Sequence, residues 1–131
     1  MEPLYVPENN GEPFVKKMPE RFWCPVYTLP KNEKKLKAYF DHFDIPNYLP
    51  LRKHLNEKSF IQKGKQYTYK RQLHIPMFPG YIFACLNMDD MTKVRYSRSA
   101  LRIFDIAPDH EERLIQELNI SKFLIDFLCE L

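Results

Sequence analysis

Apolar positions along the chain fall into short clusters separated by polar and proline-rich breaks, and their spacing predicts alternating strands and helices. The most apolar stretch of the first two thirds is Gln72–Leu86, QLHIPMFPGYIFACL. It reads as two extended pieces of one kinked strand, hinged at Phe78-Pro79-Gly80-Tyr81. Pro79 presets φ at about −65° and Gly80 tolerates φ > 0, which is type II turn chemistry. A proline inside a strand marks an edge or a bulge. Such a kink would lift Phe78 and Tyr81 out of simple alternation and present their rings on a surface. An ordinary turn would instead tuck both rings into the core.

The other elements follow in order. Residues 1–21 hold Pro3, Pro7, Pro13 and Pro19 without helical or strand period, so an irregular lead is expected, flexible or laid across the surface and pinned by Tyr5, Val6, Phe14 and Val15. Phe22–Leu29, FWCPVYTL, is an aromatic and β-branched strand, with Trp23 as an anchor. Lys31–Phe43 is the clearest helix. Asn32 suits the N-cap, and Leu36, Tyr39, Phe40 and Phe43 share one face. Tyr48–Lys70 reads as a long hairpin with its tip at Lys63-Gly64-Lys65 and a polar, mobile middle at 52–59. Tyr81–Leu86 is a buried strand, Asp89–Arg98 a short helix, and Leu101–Ile106 a last strand with Phe104 in its middle. Asp109 with Glu112 forms a capping box for a third helix through Leu114, Ile115 and Leu118. Ser121 caps a further apolar turn over 122–131. Three segments result: the lead over 1–21, a domain over 22–120, and an apolar helical tail over 121–131.

This order predicts an α+β fold. It matches the split βαβ of ferredoxin-like domains: an antiparallel sheet with helices on one face, extended by a C-terminal helix and a basic β-hairpin. At 131 residues the chain fits one domain with a sizeable core. The net charge of +3 is too weak to prove a nucleic-acid partner. Charge is nevertheless clustered. Lys31, Lys34, Lys35 and Lys37 crowd the first helix start, where they oppose the helix dipole unless an anion sits nearby. Arg52, Lys53, Lys58, Lys63, Lys65, Lys70 and Arg71 make the hairpin basic, with Tyr67 and Tyr69 interleaved, and Lys93, Arg95, Arg98 and Arg102 form a second cluster. Each set is either a solvated face or a phosphate-binding one.

Other chemistry is sparse. Cys24, Cys85 and Cys129 show no CxxC spacing, so reduced thiols are expected and neither a disulfide framework nor a zinc site. His42, His54, His74 and His110 are scattered, without an HExxH, a nucleophile motif or a Gly-rich phosphate loop. No catalytic residue, metal or cofactor is expected. No apolar run approaches a membrane span. The start, MEPLYVPENNGE, is acidic and proline-rich where a signal peptide is basic and then apolar, so the cytoplasm is the expected compartment.

Five motifs occur together in order: FWCPVYT, NEKKL opening the first helix, YLPL after it, PMFPGYIFA, and VRYSRSALRIF. As an ordered set, over about residues 22–118, they resemble the N-terminal domain of NusG-type transcription elongation factors. RfaH-type specialised paralogues are the nearer group, because the loop before the last strand has their length. The resemblance implies a non-catalytic factor that rides on RNA polymerase and suppresses pausing. By it, Phe78, Tyr81, Phe83, Phe104, Ile115 and Leu118 line a depression for the clamp helices of the largest subunit. Met91, Thr92 and Lys93 reach the opposing lobe of the cleft. Lys31, Lys34, Lys35, Arg98 and Ser99 match positions that contact the non-template DNA strand, with Tyr39 and Tyr96 as accompanying rings. The Pro-Gly common before the last strand in NusG itself is Ser99-Ala100 here. Family members usually carry a small C-terminal β-barrel, the KOW domain; the sequence ends at Leu131 without room for one, so its functions are not expected. A monomer is expected, or a dimer through the tail, which would otherwise pack beside the third helix or mask the groove. The rival readings are a ferredoxin-like RNA-binding module that does not act on polymerase, and a small enzyme. YIFACLNM lacks the basic-Gly-aromatic start that the first requires.

Overall fold

The computed structural model describes residues 8–9, 12–104, 106 and 108–129, with side chains over 14–104, 106 and 108–125. In chain order the elements are β1 (Glu8–Asn9), β2 (Glu12–Pro13), β3 (Phe22–Thr28), α1 (Glu33–His42), β4 (Asn47–Tyr48), β5 (Leu51–Gln62), β6 (Lys65–Pro76), β7 (Tyr81–Leu86), α2 (Met88–Tyr96), β8 (Ala100–Ile103) and α3 (Pro108–Cys129). The fold is α+β. Its main sheet is antiparallel in the order β4-β7-β3-β8, the crossing pattern of a split βαβ unit.

Alternation along β3 and β7 assigns the two faces of that sheet. Cys24, Val26, Ile82, Ala84 and Leu86 point to one face and pack with Leu36 and Phe40 of α1, Val94 of α2, and Ile45 and Leu49. Phe40 and Leu36 are fully buried there, and each such side chain contributes about 2 kcal/mol. Trp23, Phe83 and Cys85 point to the other face. They meet Leu118, Leu114 and Ile115 of α3, together with Tyr48, Val15 and Met18. The helices of the βαβ unit therefore share one face, and α3 covers part of the second.

The lead is tied down rather than free over its described part. The Val15 N–H donates to Asn119 Oδ1 at 2.7 Å, and Asn119 Nδ2 donates back to the Val15 carbonyl at 2.7 Å. The Trp23 indole N–H donates to the Lys16 carbonyl at 2.8 Å. Arg21 bonds the Cys85 carbonyl at 3.0 Å and the buried Asp90 carboxylate at 2.5 Å. The expected irregular lead also contains the short β1–β2 pairing. Tyr5 and Val6 lie outside the described residues.

Several boundaries differ from expectation. The kinked strand over 72–86 is two strands in two sheets: β6 ends at Pro76 and β7 begins at Tyr81. Pro76 and Pro79 lack an N–H, and the Tyr81 N–H turns back to the Phe78 carbonyl at 3.1 Å. The hairpin begins at Leu51 rather than Tyr48, because Asn47–Tyr48 pairs with β7 in the main sheet. Its polar middle is continuous strand, in register from Leu51↔Pro76 to Gln62↔Lys65. Phe104 lies beyond β8, although its N–H still donates to the Pro25 carbonyl at 3.0 Å. The third helix and the tail are one helix, α3. Pro108 takes its first position, so Asp109 stands inside the first turn instead of capping it. Ser121 does not start a new helix, since no Gly or Pro interrupts the ladder there. α2 is capped as a box, with Asn87 Oδ1 accepting from the Asp90 N–H at 2.8 Å.

Candidate functional site

The second face of the sheet is only part-covered. α3 seals Trp23 and Cys85, at 3% and 0% exposure. Toward the other end of β3 and β7 the rings emerge. Tyr27 and Tyr81 are direct cross-strand partners, with ring centroids 5.3 Å apart. Tyr81 in turn lies 6.1 Å from Phe104, and Phe78 meets Phe83 edge-on at 6.0 Å. The Arg102 guanidinium stands over Phe104, 4.7 Å from its centroid. Phe78 remains 40% exposed and Tyr27 39%. The result is a band of rings graded in exposure: Phe78 and Tyr27 reach water, Tyr81 and Phe104 are part-buried, and Phe83 lies beneath them.

The turn at 78–81 sets this band. Gly80 sits at φ +89, and a side-chain carbon there would stand 3.0 Å from the Tyr27 ring. Its N–H donates to Glu33 Oε1 at 3.0 Å, and its carbonyl accepts from the Thr28 N–H at 2.8 Å. Glu33 is nearly buried. It therefore joins the start of α1 to the turn, beyond the helix-start charge its sequence position indicates.

Of the residues expected in the depression, Phe78, Tyr81, Phe83 and Phe104 come together, and Ile115 packs against the cluster that holds Phe83. Phe83 and Leu118 are buried, at 8% and 2%, so they support the band from beneath and do not line an open depression as expected. Tyr27 and Arg102 were missed. Period-2 alternation in FWCPVYT offered a signal for Tyr27, since it puts Trp23, Pro25 and Tyr27 on one face. Arg102 gave none beyond its membership of a basic cluster.

The expected polar contacts divide similarly. On α2, Thr92 and Lys93 are exposed while Met91 leans into the core. The Lys93 ammonium stands 5.5 Å from the Phe43 ring, and its carbonyl accepts from the Tyr39 hydroxyl at 2.6 Å. Lys31, Lys34, Lys35 and Arg98 are all exposed. The Leu29 N–H donates to the Ser99 carbonyl at 2.9 Å, which draws the loop before β8 to the start of α1. Ser99 itself is 3% exposed and presents no solvent-facing group. Thr28 and Leu29 thus meet Gly80 on one side and Ser99 on the other, so the turn, the lysines and Arg98 gather at one end of the sheet. Tyr96 is 77% exposed, whereas Tyr39 leans on Phe43 with centroids 4.9 Å apart.

Burial pushes the Cys85 thiol up to about 11, with Glu111 adding to the shift. Glu111, also buried, accepts the Trp23 N–H at 2.6 Å and pairs with Lys17 at 3.3 Å. These groups hold α3 and the lead to β3; they do not line the ring band. Among the described residues no cluster of His, Cys, Asp or Glu is arranged to hold a metal ion, and no helix is long and apolar enough to cross a membrane.

Residues 21–124 match the family model of NusG, described as transcription termination factor nusG. The chain belongs to the NusG family. The match spans the sheet, both helices of the βαβ unit, the hairpin and most of α3. No curated protein matches the chain in sequence. NusG-family proteins are non-catalytic factors of transcription elongation and termination, and they generally bind RNA polymerase.

Proposed function

We propose that this NusG-family chain is an RfaH-type elongation and antitermination factor that grips the clamp helices of RNA polymerase with its ring band. The observation that carries the reading is the set of neighbouring rings at the open end of β3 and β7, with Phe78 and Tyr27 exposed and Tyr81 and Phe104 part-buried beside them. Rigid rings lose little entropy on burial and exclude water well, which is how a small apolar patch becomes an anchor. Thr92 and Lys93 then reach the opposing lobe. Bridging both lobes holds the cleft closed and shifts the population from the paused to the elongating state. Lys31, Lys34, Lys35 and Arg98 lie along the same end as the turn and contact the non-template DNA strand. Factors of this kind act as monomers in the cytoplasm.

Capture of purified polymerase tests the reading, using wild type, Tyr81→Ala and the remote control Leu55→Ala. Losing one central anchor costs about 2 kcal/mol, roughly 30-fold in affinity. Tyr81→Ala should therefore fail to capture polymerase at concentrations where the control succeeds. Equal capture by all three, or by none, overturns the assignment and returns the chain to the RNA-binding reading.

A further inference from the structure

The β5–β6 arm projects beyond the core, and its register sorts its side chains in a way the linear sequence hides. Alternation from the pairs Arg52↔Ile75, Asn56↔Arg71, Lys58↔Tyr69, Phe60↔Tyr67 and Gln62↔Lys65 places all of these residues on one face. That face carries Arg52, Arg71, Lys58 and Lys65 and no carboxylate. The arm's sole acid, Glu57, falls on the opposite face, directly across from Lys70. Within the described residues none of the four cations forms an ion pair. Among them stand three rings. Phe60 stacks on Tyr67 at 5.4 Å and meets Tyr69 edge-on at 6.0 Å, and each ring is 44% exposed.

We infer that this face of the arm is a binding surface for a single-stranded nucleic acid. Its cations run about 34 Å along the ribbon, at a rise of roughly 3.4 Å per residue, which suits a backbone of repeated phosphates. The rings supply what an acidic protein surface would not use and a duplex conceals: apolar faces and edges for unpaired bases to stack on. The surface is separate from the ring band of the main sheet, and its test needs no polymerase, so either reading can fail alone.

The full chain is titrated by fluorescence anisotropy with oligothymidylate, oligouridylate and a DNA duplex of equal length. Both single strands should bind more tightly than the duplex. Tyr67→Ala with Tyr69→Ala should weaken single-strand binding by about tenfold or more and change duplex binding little. Lys58→Gln with Arg71→Gln should flatten the slope of log affinity against log salt by about 1.4, the loss of two phosphate contacts. Lys53→Gln with Lys70→Gln removes the same charge from the other face and should leave affinity within about twofold. All these side chains are exposed, so the variants fold, as circular dichroism verifies. Equal losses from both charge pairs, tighter binding to the duplex, or competition by polyglutamate as effective as that by unlabelled oligonucleotide overturns the proposal.

Discussion

At the scale of single residues, Gly80 does the most for the candidate site. It combines a positive φ, a hydrogen bond on each side and contact with the Tyr27 ring. Gly80→Ala adds strain and crowds Tyr27 together. The expected result is a loss of about 1–3 kcal/mol in denaturant unfolding, with polymerase capture reduced beyond what that loss explains. An unchanged midpoint would mean that the turn is less constrained than its geometry requires. Cys85 gives a second measurement. Its folded value of about 11 exceeds the ordinary 9.0, so the fold favours the protonated thiol. Stability from this group is complete below pH 9.0 and declines as pH rises through about 11. In a Cys129→Ser background, Cys85 and the equally buried Cys24 should resist a thiol reagent at pH 8 until denaturant is added. Fast labelling of the folded protein would contradict this.

At the scale of elements, legibility followed the range of the interactions. The faces of FWCPVYT and YIFACL could be read from alternation, and the type II turn from Pro79-Gly80, because both are local. The strand break after Pro76 was not legible. The apolar run continues through Met77 and Phe78, and only the pairing of β6 with β5, not with the main sheet, separates the pieces. Tyr48 was misplaced for a related reason: YLPL reads as one apolar stretch, yet Pro50 divides two sheets. Ser121 has capping chemistry, but packing of the preceding Leu118 and Asn119 on β3 and the lead keeps the helix intact. The role of Asn119 was likewise invisible, since its partner Val15 is more than a hundred residues away. Asn119→Ala leaves the buried Val15 N–H and carbonyl without that partner, and should cost about 2 kcal/mol. Amide exchange checks it: the Val15 N–H should exchange much faster in the variant while core amides of β7 slow or speed only with global stability.

At the scale of the whole molecule, the core and the arm are separable. Both apolar clusters are built from the main sheet, the three helices, the lead and the segments flanking β4; Leu51 at the base of the arm packs against the first, and β5 also approaches α3. The two strands leave and return through one narrow neck, where the Met77 N–H donates to the Pro50 carbonyl at 2.8 Å. Leu51 and Pro76 are direct partners across that neck, so a short Gly-Ser turn, which needs no N–H from Pro76, can join them. Replacing 52–75 by that turn removes seven Lys and Arg residues and one Glu, and no member of either buried cluster. The shortened protein should therefore unfold in a single cooperative transition, with a midpoint within a few degrees of wild type. Loop closure favours it slightly, because the excised connection is long. Polymerase capture should survive and single-strand binding should fall sharply, since the ring band and the arm draw on different residues. A shortened protein that cannot fold would show that the arm supports the sheet through its base. One that folds but loses polymerase would place part of the grip on the arm itself.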